Sequence, residues 1–96
     1  MRNIWSDKGT TEVDMFGADW ANLLGAETIS TSEWAVISGG VSTSAPTITG
    51  TETSVKLSGG TVGIGKVTNT ITTNGGRTLV EEFVFPIVDK SAVWVY

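Results

Sequence analysis

The chain has no cysteine and no histidine. Without cysteine, disulfide staples and thiol nucleophiles are excluded. Without histidine, the commonest general base and a usual zinc ligand are missing, and no Ser-His-Asp triad can be built. Proline is scarce, at 2 residues. The six basic residues, Arg2, Lys8, Lys56, Lys66, Arg77 and Lys90, are scattered and no two adjoin. That leaves no basic patch in sequence, and the net charge of −4 repels phosphate, so no nucleic-acid partner is expected. No apolar run approaches the ~20 residues of a membrane-spanning helix, so no membrane partner is expected. The opening MRNIWSDKGT lacks the apolar core of a secretory signal.

What is present is β chemistry. The 96 residues include 15 Thr, 9 Ser and 12 Gly, and 40% are hydrophobic. Threonine suits strands, glycine and serine suit turns, and the length suits one domain. The clearest pattern lies between Gly59 and Ile87. Val67, Asn69, Ile71 and Thr73 share one parity, and Leu79, Phe83, Phe85 and Ile87 share another. Period-2 alternation marks half-buried strands, and Asn74-Gly75-Gly76 between them marks a hairpin turn built on positive φ angles. Pro86 must sit at an edge position or end the pairing.

Earlier segments read as shorter strands. Thr10–Phe16 places Val13 and Met15 inward. Asp19 is positioned to cap one helical turn over Trp20–Leu24, ended by Gly25, with Trp20, Leu23 and Leu24 as a lid on the core. In Glu27–Ile37, Ile29 and Trp34 lie on opposite parities, and a bulge between them would put both inside. Val41–Ser44 is short, Thr47–Thr51 carries Ile48 inward, and Ser54–Ser58 carries Val55 and Leu57 inward with Lys56 outward. The sum is an all-β domain, with about seven short antiparallel strands spaced as in a β-sandwich. Residues 1–9 read as an N-terminal arm, 10–87 as the β domain, and 88–96 as an apolar tail or last strand.

Chemistry-bearing motifs are few. Gly60 to Lys66 matches GxxxxGK, but Val67 replaces the magnesium-binding hydroxyl and a threonine-rich strand follows where a P-loop needs a helix. Glu12, Asp14 and Asp19 lack the spacing of a calcium loop. Glu81 shares the parity of Leu79 and Phe83, and is expected at the core rim in a surface ion pair with Arg77. No catalytic, cofactor or metal residues are assigned. Trp20 and Trp34 are expected in the core. Trp5 either packs on the domain edge or docks on a partner. The segment Ala92-Val93-Trp94-Val95-Tyr96 either pairs with its own domain or adds to a neighbour's sheet. Trp5, Val93, Trp94 and Tyr96 are therefore the interface candidates. Exposed aromatics also fit a carbohydrate-binding module, with Trp5, Trp94 or Tyr96 as a stacking platform.

Taken in order, Lys8, Asp14, Gly17, Asp19-Trp20, Leu24-Gly25, Thr28-Ile29, Ser32, Trp34 and Val36 resemble the spacing of small phage proteins known as fibre–tail adaptors. The later block, Leu57 to Thr61, Thr68-Asn69, Ile71 to Thr73, Gly76 to Thr78 and Phe83, is similar too. The likeness runs over about residues 8–87. It implies an immunoglobulin-like β-sandwich and a non-enzymatic virion protein. Its partners would be tail, connector or fibre proteins, with several copies in one particle. It would act in the host bacterial cytoplasm during assembly and then in the virion. Two departures stand out: Val67 replaces an aromatic, and an apolar tail continues past Ile87. Asn69, between Val67 and Ile71 on one face, must find buried partners, for which main-chain groups of a neighbouring loop are expected. Arg77 beside the turn is expected to bond its carbonyls.

Overall fold

A computed structural model describes residues 2–5 and 7–89. They form two β-sheets with one short helix. The strands are β1 (Arg2–Ile4), β2 (Lys8–Gly9), β3 (Val13–Asp19), β4 (Ile29–Ser38), β5 (Val41–Thr49), β6 (Glu52–Gly59), β7 (Gly63–Thr73) and β8 (Thr78–Val88), with α1 at Ala21–Leu24. One sheet runs β1-β8-β7-β4, with β2 also on β8, and the other runs β3-β6-β5. All pairings are antiparallel except those of β1 and β2, which lie parallel to β8. Residues 1–9, read as an arm, thus contribute two parallel pairings to a sheet. Pro86 falls between them, since β1 stops at Val84 and β2 begins at Ile87. At that place on β8 neither ladder needs the missing N–H.

The core lies where the sheets meet. Phe16, Val41, Val55 and Leu57 from one sheet face Val67, Phe83, Phe85 and Ile87 from the other. A second cluster, Trp20, Leu24 and Ile71, closes the end under α1. The alternation expected for β6, β7 and β8 is present throughout their length. Gly65 leaves room for side chains of the paired strand β8: a Cβ there would lie 2.5 Å from Phe85 Cζ and 3.0 Å from Ile87 Cδ1. The aromatic ring therefore fills the volume that any larger residue would need.

Several local expectations change. Ile48, expected inward, and Leu23, expected in the lid on the core, are each 42% exposed. In β3 the inward residue is Phe16, while Val13 and Met15 are 59% and 47% exposed. Val13 and Met15 pair with Ser58 and Lys56, so they take the outer face of the sheet. Val41–Ser44 and Thr47–Thr51 are largely one strand, β5, with a register shift between Ser44 and Thr47 around Ala45 (φ 49°) and Pro46. The β7–β8 turn also differs in detail. Only Gly76 has a positive φ, at 86°. Gly76 N–H donates to Thr73 O at 3.0 Å and Thr73 N–H donates to Arg77 O at 2.9 Å. This is a three-residue loop with glycine at the left-handed position, so one positive φ is sufficient. The expected irregularity in β4 is present as a register shift between Ile29 and Thr31. It leaves both Ile29 and Trp34 half-buried against the core clusters.

Candidate functional site

Asn69 is fully buried on β7 and uses its whole amide. Its Nδ2 donates to Ser32 Oγ at 2.9 Å and to Glu33 O at 3.0 Å, both on β4. Its Oδ1 accepts from Thr53 Oγ1 at 2.6 Å and from Trp20 Nε1 at 3.1 Å. The same indole N–H lies 3.1 Å from Thr53 Oγ1. Thr53 belongs to β6, so the network pins one sheet to the other and holds the chain entering α1. The partners are mostly side chains, with one main-chain carbonyl from a paired strand, where a loop had been expected. A satisfied network of this kind strengthens in a low-dielectric core. Thr53 shares the parity of Val55 and Leu57, and that was the sequence signal for its inward position.

Arg77 projects from the hairpin turn onto the segment after α1. Its Nη2 donates to Leu23 O at 2.8 Å and to Leu24 O at 3.3 Å, and its Nε donates to Glu27 Oε1 at 2.7 Å. The carbonyls are those of the helix end, which a cation suits, and not those of the turn. Asn74 adds two bonds: its N–H donates to Thr28 O at 3.0 Å, and its Oδ1 accepts from Thr28 N–H at 3.1 Å. The hairpin tip thus clamps residues 23–28. Glu81 is not the partner of Arg77. It lies inward on β8 opposite Asn69 and is buried.

Hydrogen bonding to Arg77 holds the Glu27 carboxyl below its ordinary pKa of 4.5, against a smaller opposing effect of burial. A depressed folded-state value means that this contribution to stability is complete above the unfolded value. It is lost as pH falls through the folded one. Arg77→Ala is expected to remove that acid-side loss, so the unfolding midpoint of the variant should fall less steeply below pH 4.5 than that of the parent chain. Urea titrations at stepped pH measure the two slopes.

Lys8 is a buried cation that sequence reasoning did not single out for a role. Its side chain is 0% exposed. Its Nζ donates to Gly9 O at 2.8 Å, Glu12 O at 2.6 Å and Gly59 O at 2.6 Å, which uses all three ammonium protons. Burial lowers its pKa, and Glu12 and Asp14 oppose that effect. The lysine ties β2, the β2–β3 turn and the end of β6 together. Spacing gives no hint of this, because the Gly59 carbonyl is distant in sequence.

The other candidates are dispersed. Trp5 stacks on Phe83 at 4.4 Å between ring centroids, with Phe16 at 4.8 Å and Trp34 at 5.9 Å. Its ring is part of the core edge. Trp20 is buried, and the half-buried Trp34 has an indole N–H with no partner among the described residues. Val93, Trp94 and Tyr96 lie outside the described residues. In the GxxxxGK segment, β7 begins at Gly63, so a strand stands where a P-loop needs a helix. Asp14 and Asp19 accept hydrogen bonds from Met15 N–H and Ala21 N–H, and Glu12 accepts one from Gly9 N–H. Among the described residues no group of acidic side chains could hold a metal ion.

The apolar residues left exposed gather partly at one end. Ile37, Val62 and Ile64 are 58%, 62% and 56% exposed. They are brought together by the β4–β5 turn and the β6–β7 loop, which are joined by Thr61 N–H to Gly39 O at 2.9 Å and Ser38 Oγ to Ile64 O at 3.2 Å.

The polar groups are thus spent on holding two sheets and their connections in place, which is the arrangement of a β scaffold. Residues 8–86 match the model of the family described as podophage GP4 fiber-tail adaptor protein gp77. The chain belongs to this family of phage adaptors, which are virion structural proteins. No curated protein matches the chain. Among solved structures, the chain resembles part of the 2,6-sialyltransferase of Vibrionaceae Photobacterium sp. JT-ISH-224, with a TM-score of 0.53 and 9% identity. That likeness covers 93% of this chain and only 18% of the sialyltransferase. At that identity it is a likeness of fold alone.

Proposed function

We propose that this chain is a non-enzymatic adaptor built on an immunoglobulin-like β-sandwich, joining phage tail, connector or fibre proteins. The family match carries the reading, since it runs from β2 into β8 and so takes in most of both sheets. Strand order supports the fold: β3-β6-β5 corresponds to strands B, E and D, and β4-β7-β8 to C, F and G. Trp34 lies on β4, where immunoglobulin domains keep a core tryptophan. Trp20, Trp34, Asn69 and Arg77 hold the scaffold.

Docking falls to the exposed end formed by Ile37, Val62 and Ile64, an apolar patch at the end of β4, the start of β7 and the loop before it. The adaptor acts without cofactor, in the host cytoplasm during assembly and then in the virion. Several copies around a symmetric particle would multiply individually weak contacts. A carbohydrate-binding role through Trp5 has little support, because that ring faces Phe83 and Phe16.

The test is complementation in the phage that carries the gene. Particles made without the protein are expected to lack fibres in electron micrographs, and the parent chain should restore them. The triple variant Ile37→Glu, Val62→Glu, Ile64→Glu should fold and fail to restore them. Fully fibred particles in the deletion strain would sink the adaptor reading. Restoration by the triple variant would remove only the assignment of the docking end.

A further inference from the structure

Glu81 is a buried acid on the inner face of β8. It is 8% exposed and shares the parity of Phe83 and Phe85. It pairs in register with Asn69, yet the four bonds described for that amide go to Ser32, Glu33, Thr53 and Trp20. Placing an ionised carboxylate in an apolar row is costly unless cations or hydrogen bonds offset it. An ionised carboxylate has about four acceptor sites, so it can hold more than one donor at once.

Beside Glu81 is a cavity of about 420 Å³, a size usual for a ligand pocket. Its lining includes Trp5, Asp19, Trp20, Leu23, Glu81 and Phe83. Trp5 and Phe83 stack at 4.4 Å between ring centroids, so part of the wall is aromatic. Asp19, the last residue of β3, is exposed and stands at the rim. Among the described residues that line the cavity none is basic. Both charged groups are acids, in a chain whose net charge is −4.

That combination selects its occupant. Apolar walls suit the stem of a long basic side chain, and a buried carboxylate suits its head. Arginine fits better than lysine. A guanidinium is planar, stacks on aromatic faces, bonds a carboxylate through two parallel N–H groups and is less strongly hydrated than an ammonium. The cavity is apart from the end formed by Ile37, Val62 and Ile64. In the β7–β8 ladder Glu81 pairs with Asn69, whereas Ile64 pairs with Pro86, towards the other end of β8.

We propose that this cavity binds an arginine side chain offered by a partner protein. The guanidinium donates to the Glu81 carboxylate, the stem lies against Trp5, Leu23 and Phe83, and the Asp19 carboxylate attracts the charge at the rim. An arginine seated in an aromatic pocket and paired away from water is the kind of contact that dominates an interface. The proposal does not depend on the adaptor reading, because it concerns what the cavity takes and not which assembly uses it.

The probe is Nα-acetyl-arginine amide, titrated into the full-length chain and followed by nuclear magnetic resonance. Saturable shifts are expected at the Trp5 indole and at the amides of Gly17 and Phe83, with Val41 and Ile64 unmoved. A single side chain should bind with a Kd on the order of millimolar. The citrulline counterpart, a neutral isostere, should bind at least about tenfold more weakly, and so should the arginine derivative to Glu81→Gln. The lysine counterpart should also bind more weakly than arginine. Equal binding of the citrulline or lysine derivative would overturn the proposal, as would the absence of a saturable shift. Free arginine should bind no more tightly than the blocked derivative. Tighter binding would overturn the protein partner in favour of a small molecule. If Glu81→Gln fails to fold, the comparison of arginine with citrulline on the parent chain decides.

Discussion

Asn69→Leu is expected to cost about 3–5 kcal/mol of unfolding free energy. The substitution keeps the branched outline of the side chain and removes every bond described for the amide. Thr53 Oγ1 and Trp20 Nε1 can still bond each other across 3.1 Å, so they are partly compensated. Glu33 O and Ser32 Oγ lose the Nδ2 donor. A buried group left without a partner costs about 1–3 kcal/mol, and here the buried Thr53 and Trp20 each lose one partner while the part-buried bonds to Ser32 and Glu33 are lost outright. A domain of this length has a total stability on the order of 5–14 kcal/mol, so the variant sits near the edge of folding. Urea denaturation followed by the near-ultraviolet signal of the tryptophans measures the loss. A double-mutant cycle with Trp20→Phe should show coupling of about 0.5–3 kcal/mol. A loss below about 1 kcal/mol would mean that the network does not join the sheets energetically.

Lys8→Met should be the second large effect, destabilising by about 2–4 kcal/mol. Methionine keeps a comparable stem but removes the donor from three carbonyls, those of Gly9, Glu12 and Gly59. Relief of the buried charge offsets part of the loss, because taking an ammonium out of water is itself costly. Arginine should not rescue, since its planar fork cannot occupy a cradle shaped for a compact ammonium. The pH dependence has a definite sign. Burial lowers the Lys8 pKa from 10.5, so between the folded and unfolded values the unfolded chain binds more protons. Stability conferred by this site therefore rises with pH in that window, and the cost of burying the charge is fully felt below it. In Lys8→Met that rise should be absent, which paired urea titrations between neutral and alkaline pH would show.

These two residues differ in how readable they were. Asn69 stood out because it interrupts an apolar parity, and an amide between Val67 and Ile71 must be satisfied. Its partners were not readable, since Trp20, Ser32 and Thr53 come from three other segments. Lys8 gave no signal of its own, because a lysine in a polar stretch ordinarily faces water. Its burial follows from the parallel pairing of β2 with β8, a contact between opposite ends of the chain. Arg77 shows the same division. Its position at the turn was legible, but its partners are the end of α1 and Glu27. The inward expectation for Val13 and Met15 failed for a related reason. A short strand with apolar residues on both parities, Phe16 on one and Val13 and Met15 on the other, does not say which face wins. The pairing of Phe16 with Val55 decided it.

The residues alone determined that this is a β protein, that β6, β7 and β8 bury alternate side chains, and that the chemistry of histidine and cysteine is closed to it. Those conclusions follow from local periodicity and composition, which a strand carries in its own few residues. Only the tertiary structure decided that Arg2–Ile4 and Lys8–Gly9 pair with β8 and that Lys8 is buried. It alone decided that one asparagine joins two sheets and that Ile37, Val62 and Ile64 are left exposed. Each of these depends on segments far apart in sequence being brought together, and pairing between distant strands leaves no local period to read.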